Sequence, residues 1–349
     1  MSLRSHILAT GIRRLGGPRN GFRCRRADGR RIATADTERI AALRIPATWT
    51  DVHIARSPGE RVQAIGRDAA ERWQYLYRRS HVQRRSRARF DQLIAFGAAL
   101  PLLRRTLSRD LARPGLPREK SLACAVALLT TCFLRPGTEI YATLNGSFGL
   151  ATLRDRHVAV TGDRIRLDFR GKHGQRQRHE VRNARLARIV AAMQQLPGEE
   201  VFKFVDARGR VHDVRRAHLN GYIKQVMGEL FSARVFRTWG GTLLCAGALA
   251  RAVRGTAATA VRPMQGEAAR HAAVASAVRE TALRLGNTVA ACRRAYIHPG
   301  VLRAFARGRT VSASLSRPEA LIAPRRTGLD RSERALLALL RRDRAARAR

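Results

Sequence analysis

The sequence predicts an α+β chain, with a small N-terminal antiparallel β domain followed by a mainly α-helical domain that carries an inserted β-hairpin. Three patterns predict it. Apolar and polar residues alternate in short runs between Trp49 and Arg78, helical spacing takes over from Phe90, and the period returns to two between His157 and Val181 before helices resume.

Residues 1–35 are rich in Gly and Arg and lack periodicity, so they read as a disordered basic arm. Residues 36–82 hold the β domain. Asp51–Arg56 alternates, Ser57-Pro58-Gly59-Glu60 turns the chain, Arg61–Ile65 runs extended, and Trp73–Arg78 follows a polar turn. The charge run in 83–89 reads as a linker. Within 90–305, Phe90, Leu93, Ile94, Phe96, Leu100 and Leu103 mark one helical stripe. Ser121–Leu134 is apolar almost all round, as a central buried helix is, and Pro136 should end that helix at Arg135. Ile165–Phe169 alternates, Gly171-Lys172-His173-Gly174 makes a tight turn, and Gln175–Val181 returns as the second strand. Further helices are expected at Asn183–Leu196, Ala217–Met227, Phe236–Ala250, Ala273–Leu285 and Thr288–Tyr296. The Gly/Ala/Arg stretch 251–270 reads as a loop or flexible insertion, and 306–349 as a basic C-terminal tail in which Arg331–Arg349 is a helix or an extension of the tail.

Charge points to the partner. The chain has 68 Lys+Arg against 26 Asp+Glu, a formal charge of +42. Such a charge repels itself in a compact state unless a polyanion neutralises it, so nucleic acid is the expected partner and binding should weaken steeply with salt. Lysine occurs only at Lys120, Lys172, Lys203 and Lys224. The five cysteines are scattered without a CxxC pair, which implies reduced thiols in a cytoplasmic compartment rather than disulfides or a zinc site. The longest apolar run, Leu122–Leu134, is too short to span a bilayer. The acid-free first 27 residues resemble a transit peptide, but a basic arm is the preferred reading, with no organellar targeting.

Four places are chemically unusual. Arg135 is left at the mouth of a buried helix, where the plain alternative is an arginine on the helix dipole. Lys172 lies at a hairpin tip between two glycines, and unlike arginine a lysine can donate a proton. Arg234 and Arg237 share one face of a helix start, where simple phosphate contact is the alternative. Tyr296 precedes Ile297-His298-Pro299 on a helix that begins after Leu285-Gly286-Asn287-Thr288, and alone it would be half-buried packing.

Taken together and in this order, Arg-x-Gly-x-Glu at 135–139, Gly-Lys at 171–172, Phe-Arg-Thr-Trp at 236–239 and Leu-Gly-Asn-Thr nine residues before Tyr296 resemble the type IB DNA topoisomerases of bacterial and poxvirus-like form. Arg-Ile-Pro at 44–46, Gly-Arg-Asp at 66–68, Gln74 to Tyr77 and Asn145 to Leu150 extend the similarity over about 44–305. The resemblance implies the catalytic fold shared by tyrosine recombinases and these topoisomerases. It implies that Tyr296 attacks a phosphodiester to give a 3′-phosphotyrosyl enzyme. Arg135 and Arg237 would hold the non-bridging oxygens beside Arg234, and Lys172 would protonate the departing 5′ oxygen. Asn287 stands where poxvirus and eukaryotic members have histidine, Arg234 where lysine is common, and Cys292-Arg293 where Ser-Lys is common. Gln74, Tyr75, Tyr77, Arg293 and Arg294 would touch DNA, although Trp73, Tyr75 and Tyr77 could equally be the core stripe of a small sheet.

The resemblance also implies supercoil relaxation without metal, ATP or other cofactor, by a monomer clamping duplex DNA on the nucleoid, in the cytoplasm and away from membranes. Two other readings stand beside it. A tyrosine recombinase shares the Arg–Lys–Arg–Tyr chemistry but usually presents His-x-x-Arg where this chain has Arg234-x-x-Arg237. A non-catalytic basic DNA-binding protein accounts for the charge but not for Lys172 and Tyr296 at motif spacing.

Overall fold

The computed structural model describes residues 2–255, 266–312 and 327–348, divided into two units, Met1–Ala88 and Arg89–Arg349. The first unit is built on a five-stranded antiparallel sheet in the order β2-β1-β3-β4-β5. Its elements in chain order are α1 (Leu3–Thr10), β1 (Ile12–Gly17), β2 (Gly21–Arg25), α2 (Thr34–Ala42), β3 (Thr50–Ile54), β4 (Val62–Arg67) and β5 (Trp73–Tyr77). The β3, β4 and β5 strands fall on the alternating runs. The arm expected to be disordered does not match: residues 3–25 form a helix and a hairpin. Single side chains anchor them, since Ile7 and Ile12 are each 1 % exposed, and Ile12 pairs with Ile54 of β3. The glycines there close the β1–β2 turn, with Gly16 and Gly21 at φ of 90° and 71°.

The linker expected at 83–89 is also overturned. It lies inside α3 (Arg79–Leu111), a single helix through which the unit boundary passes. Arginine is a good helix former and the run holds neither glycine nor proline, so nothing in it stops a helix.

The second unit is mainly helical. The sheet β6 (Val158–Thr161), β7 (Arg164–Arg170) and β8 (Arg176–Arg182) follows α4 (Arg118–Cys132) and α5 (Glu139–Asn145). Residues Ile165, Leu167 and Phe169 of β7 face inward while Arg166 and Asp168 face out, as the alternation requires. Then come α6 (Ala184–Gln194), the short pair β9 (Lys203–Val205) and β10 (Val211–Asp213), and α7 (Arg216–Met227). The last helices are α8 (Ala233–Gly255), α9 (Glu267–Leu285), α10 (Val289–Tyr296), α11 (Pro299–Ala306) and α12 (Arg331–Ala348). The α4 helix is the centre of the core, buried on every side from Ser121 to Cys132. The expected 251–270 loop is helical at 251–255 and 267–270, and 256–265 lies outside the described residues.

Of the two readings of Arg331–Arg349 the helix is present, as α12, but its docking corrects the expected tail; 313–326 lies outside the described residues. Leu336, Leu337 and Leu340 of α12 are buried in the main core. Glu333, 1 % exposed, accepts from Arg104 of α3 and from the Trp239 indole of α8. The high arginine content of this segment hides a three-leucine stripe at helical spacing.

Candidate active site

The site begins where α4 ends. The helix does not run to Arg135; it stops at Cys132, and Phe133 adopts the left-handed region at φ 51°. A left-handed phenylalanine is costly and has to be held by its surroundings. Gly240 of α8 supplies the space, because a Cβ there would collide with the Phe133 ring. The reversal aims the Phe133 carbonyl at Arg237 and leaves Arg135 half-buried two residues on.

Arg237 lies in the first turns of α8 and is 2 % exposed. Its Nη1 donates to the Phe133 carbonyl at the end of α4, and its Nη2 donates to the Leu285 carbonyl at the end of α9, at 2.8 Å. Both acceptors are carbonyls that a helix C-terminus leaves unpaired, at the negative end of its dipole. Burial, then the neighbouring Arg135, pushes the Arg237 guanidinium down to about 10. Its Nε is buried without a partner.

The α9 helix ends on Gly286 at φ 56°, and Asn287 N–H bonds back to the Ala282 carbonyl at 2.9 Å. This turn presents two acceptors to Arg135: the Gly286 carbonyl at 3.4 Å and Asn287 Oδ1. The Asn287 amide Nδ2 is buried and has no partner, a donor left over beside two guanidinium groups. Thr288 then caps α10, its hydroxyl accepting from Ala291 N–H at 3.3 Å, and the helix delivers Tyr296 at its last position.

The Tyr296 ring lies 5.1 Å from the Arg237 guanidinium carbon. Its backbone is fastened to α8: Thr242 Oγ1 donates to the Tyr296 carbonyl at 3.2 Å and accepts from His298 N–H at 3.1 Å. Gly241 permits this approach, since a Cβ there would fall 2.7 Å from the Tyr296 carbonyl oxygen. Burial by itself would raise the phenol's pKa, but Arg237, Arg135 and the exposed Arg234 together outweigh it and hold it below the ordinary phenol value.

Tyr296, Arg237, Arg135 and Asn287 therefore converge, with Arg234 one turn away. Lys172 does not join them. It is exposed on the one-turn 3₁₀ segment between β7 and β8 and bonds none of the four. The other lysines are engaged: Lys120 donates to the Arg113 carbonyl, buried Lys203 to the carbonyls of Leu196 and Gly198, and Lys224 pairs with Glu229. Among the described residues Lys172 is the one lysine whose ammonium makes no hydrogen bond or ion pair. Arg293 and Arg294 are exposed on α10, whereas Cys292 between them and the core is fully buried. In the β unit, Gln74 Nε2 donates to Asp68 at 2.8 Å, Tyr75 is 36 % exposed, and Tyr77 and Trp73 pack partly against Ile7, Val62 and Ile65. Of the three aromatics spaced by two, only Tyr75 is free of that core.

Several site residues carry no motif in the sequence. The Gly240-Gly241 pair is legible in hindsight, because two glycines inside a helix cost about 2 kcal/mol of helix propensity unless packing requires them. His179 of β8 lies beside the site with Phe133 in the wall of a cavity of about 460 Å³. Burial, then Arg237 and Arg284, pushes its imidazole down to about 4, so it is neutral. Ile140, Tyr141 and Leu144 of α5, just after Arg135, are 68 %, 54 % and 73 % exposed.

Comparison with known proteins decides the family. The profile described as eukaryotic DNA topoisomerase I, catalytic core, matches residues 78–307. The chain belongs to the type IB DNA topoisomerase family. A second profile, bacterial DNA topoisomerase IB, N-terminal domain, matches residues 21–68, within the sheet unit. The chain is 32 % identical to DNA topoisomerase 1B of Acanthamoeba polyphaga mimivirus, over 76 % of this chain and 79 % of the viral protein. It is 27 % identical to DNA topoisomerase 1B of vaccinia virus (strain Copenhagen), over 39 % of this chain and 44 % of that one.

Proposed function

We propose that this chain relaxes supercoiled duplex DNA by cutting one strand with Tyr296 and resealing it, as a monomer of the bacterial type acting on the nucleoid in the cytoplasm. The observation that carries the reading is the Tyr296 ring against Arg237, with Arg135 and the unpartnered Asn287 amide beside it.

The chemistry follows from the residues. Tyr296 gives its proton to solvent and its oxygen bonds to phosphorus, while the bond from phosphorus to the 5′ oxygen breaks. The products are a 3′-phosphotyrosyl ester and a 5′-hydroxyl. A free phenol is about a thousandth ionised at neutral pH, so the arginines that depress the Tyr296 pKa raise the reactive fraction. Charge gathers on the non-bridging oxygens in the transition state, where Arg135, Arg237 and the Asn287 Nδ2 donor stabilise it. The leaving 5′ oxygen takes a proton from Lys172, a role that arginine cannot fill. Lys172 has to swing in with its hairpin turn when DNA fills the site, and nothing ties it down in the free chain. Rotation about the intact strand relaxes the duplex. The 5′-hydroxyl then attacks the phosphotyrosine, which has kept the energy of the original ester, so no ATP and no metal enters. Gln74 and Tyr75, with Tyr77, and the exposed Arg234, Arg293 and Arg294 contact the duplex.

The test is relaxation of a negatively supercoiled plasmid in EDTA without ATP, run beside Tyr296→Phe. The wild type should relax the plasmid and become covalently attached to a nicked suicide substrate. The variant should do neither, yet bind duplex within about fivefold of the wild type, since one hydroxyl contributes only ~1 kcal/mol. Relaxation by the variant would end the proposal.

A further inference from the structure

The N-terminal unit holds a concave site that strand transfer does not use. The α2 helix and the β2 strand enclose a groove of about 680 Å³, within the range of ordinary ligand pockets. Its floor is aliphatic: Ile32, Ile40 and Ile45 pack on the sheet core of Ile12, Val52 and Ile54. Its rim is cationic, formed by Arg14, Arg23, Arg25, Arg31 and Arg44, and no carboxylate lines it. None of these five arginines makes an ion pair among the described residues, and the nearby acids Asp28 and Asp36 are committed to Arg30 and Arg39. The groove is firmly built, since Arg39 also ties α2 to the Ala55 carbonyl at 3.0 Å.

Two further features indicate the shape of the occupant. Among the described residues β2 ends the sheet and only the Arg25–Arg31 bridge lies on its outer side, so the backbone from Gly21 to Cys24 is an open edge, and Phe22, Arg23 and Cys24 beside it line the groove. The one aromatic in the groove, Phe22, already has Arg14 over its ring at 4.1 Å. A single-stranded nucleic acid needs free aromatic faces on which to stack, and a duplex presents phosphates without an apolar group to fill an aliphatic floor. A peptide strand supplies both charge and apolar side chains.

We propose that this groove docks an extended acidic peptide of a partner protein. The peptide's backbone pairs with the open edge of β2, its carboxylates meet the arginine rim, and an apolar side chain sits on the isoleucine floor. The proposal is independent of the strand-transfer chemistry, because none of its residues belongs to that site.

The experiment uses the whole protein and a fluorescein-labelled decapeptide of alternating Glu and Leu, read by anisotropy at physiological salt. The control probes are the same peptide with Gln for Glu and a labelled DNA duplex. Two variants are compared, the double reversal Arg23→Glu/Arg31→Glu and the groove-filling Ala41→Trp, which leaves the charge unchanged; thermal unfolding checks that each is folded. The acidic peptide should bind, and each folded variant should weaken it by about tenfold or more while duplex affinity and plasmid relaxation change by less than about twofold. Equal binding of the Gln peptide, or unchanged binding in the variants, would overturn the proposal. So would a duplex that displaces the peptide and loses affinity in the same variants, since the groove would then be a DNA surface.

Discussion

Arg237 stacks on the Tyr296 ring while its two terminal nitrogens close the ends of two different helices, at the Phe133 and Leu285 carbonyls. The group proposed to stabilise the transition state is thus also a structural keystone. Replacing it with alanine should slow strand cleavage by about a hundred- to a thousandfold, the usual loss for one oxyanion donor. It should also lower the unfolding midpoint, because two buried carbonyls lose their partner. Arg237→Lys should recover little of either, since an ammonium cannot reach two carbonyls and a phosphate from one place. Single-turnover cleavage and urea unfolding of the same preparations would check both.

Gly241 offers a test that leaves every charged group in place. In Gly241→Ala the new Cβ would meet the Tyr296 carbonyl oxygen at 2.7 Å, and the backbone there is fastened by Thr242, so the tyrosine must shift. Cleavage should slow by about tenfold or more, as misplacement of a reacting group does, with duplex affinity nearly unchanged. Equal rates in the variant and the wild type would show that the tyrosine is repositioned by DNA in any case.

Lys172→Arg keeps the charge but removes a transferable proton. It should cleave far more slowly than the wild type on an ordinary phosphodiester and approach it on a substrate whose leaving group needs no proton. Parallel time courses on the two substrates distinguish proton transfer from simple charge.

Stability should fall in mild acid. His179 and His298 are both pushed down to about 4, His179 by burial and two arginines and His298 mainly by burial, so the fold holds both neutral. Unfolded histidine titrates near about 6.5. Above that value the contribution is fully present. As pH falls from about 6.5 towards about 4, the unfolded chain takes up protons that the native chain refuses, and stability is lost by at most about 1.4 kcal/mol per pH unit for each imidazole. Urea midpoints at several pH values, in the wild type and in His179→Gln, would show the slope and its partial removal.

The candidate side chains were legible as candidates because each interrupts a pattern: an arginine before proline, a lysine in a nearly lysine-free chain, a tyrosine after a helix-opening Gly-Asn-Thr. How they are held was not. Nothing local in the sequence says that the last carbonyls of α4 and α9 meet on Arg237, or that Phe133 turns left-handed against Gly240, because both arise from packing between segments far apart in the chain. The basic ends were misread for a different reason. Arginine dominates residues 1–35 and 331–349, and composition masked the few isoleucines and leucines that dock them: Ile7, Ile12, Leu336, Leu337 and Leu340. The β5 aromatics divide as their periodicity could not foretell, with Tyr75 outward and its neighbours against the core.

A guanidinium that secures two helices cannot be exchanged without weakening the chain, whereas the exposed Lys172 ammonium bonds nothing among the described residues and the Tyr296 hydroxyl bonds arginines inside the site. Selection for a folded protein therefore protects Arg237 even after selection for turnover has lapsed. In any lineage drifting towards an inert DNA-coating descendant, the lysine and the phenol should disappear first, and the arginine should outlast the activity it once served.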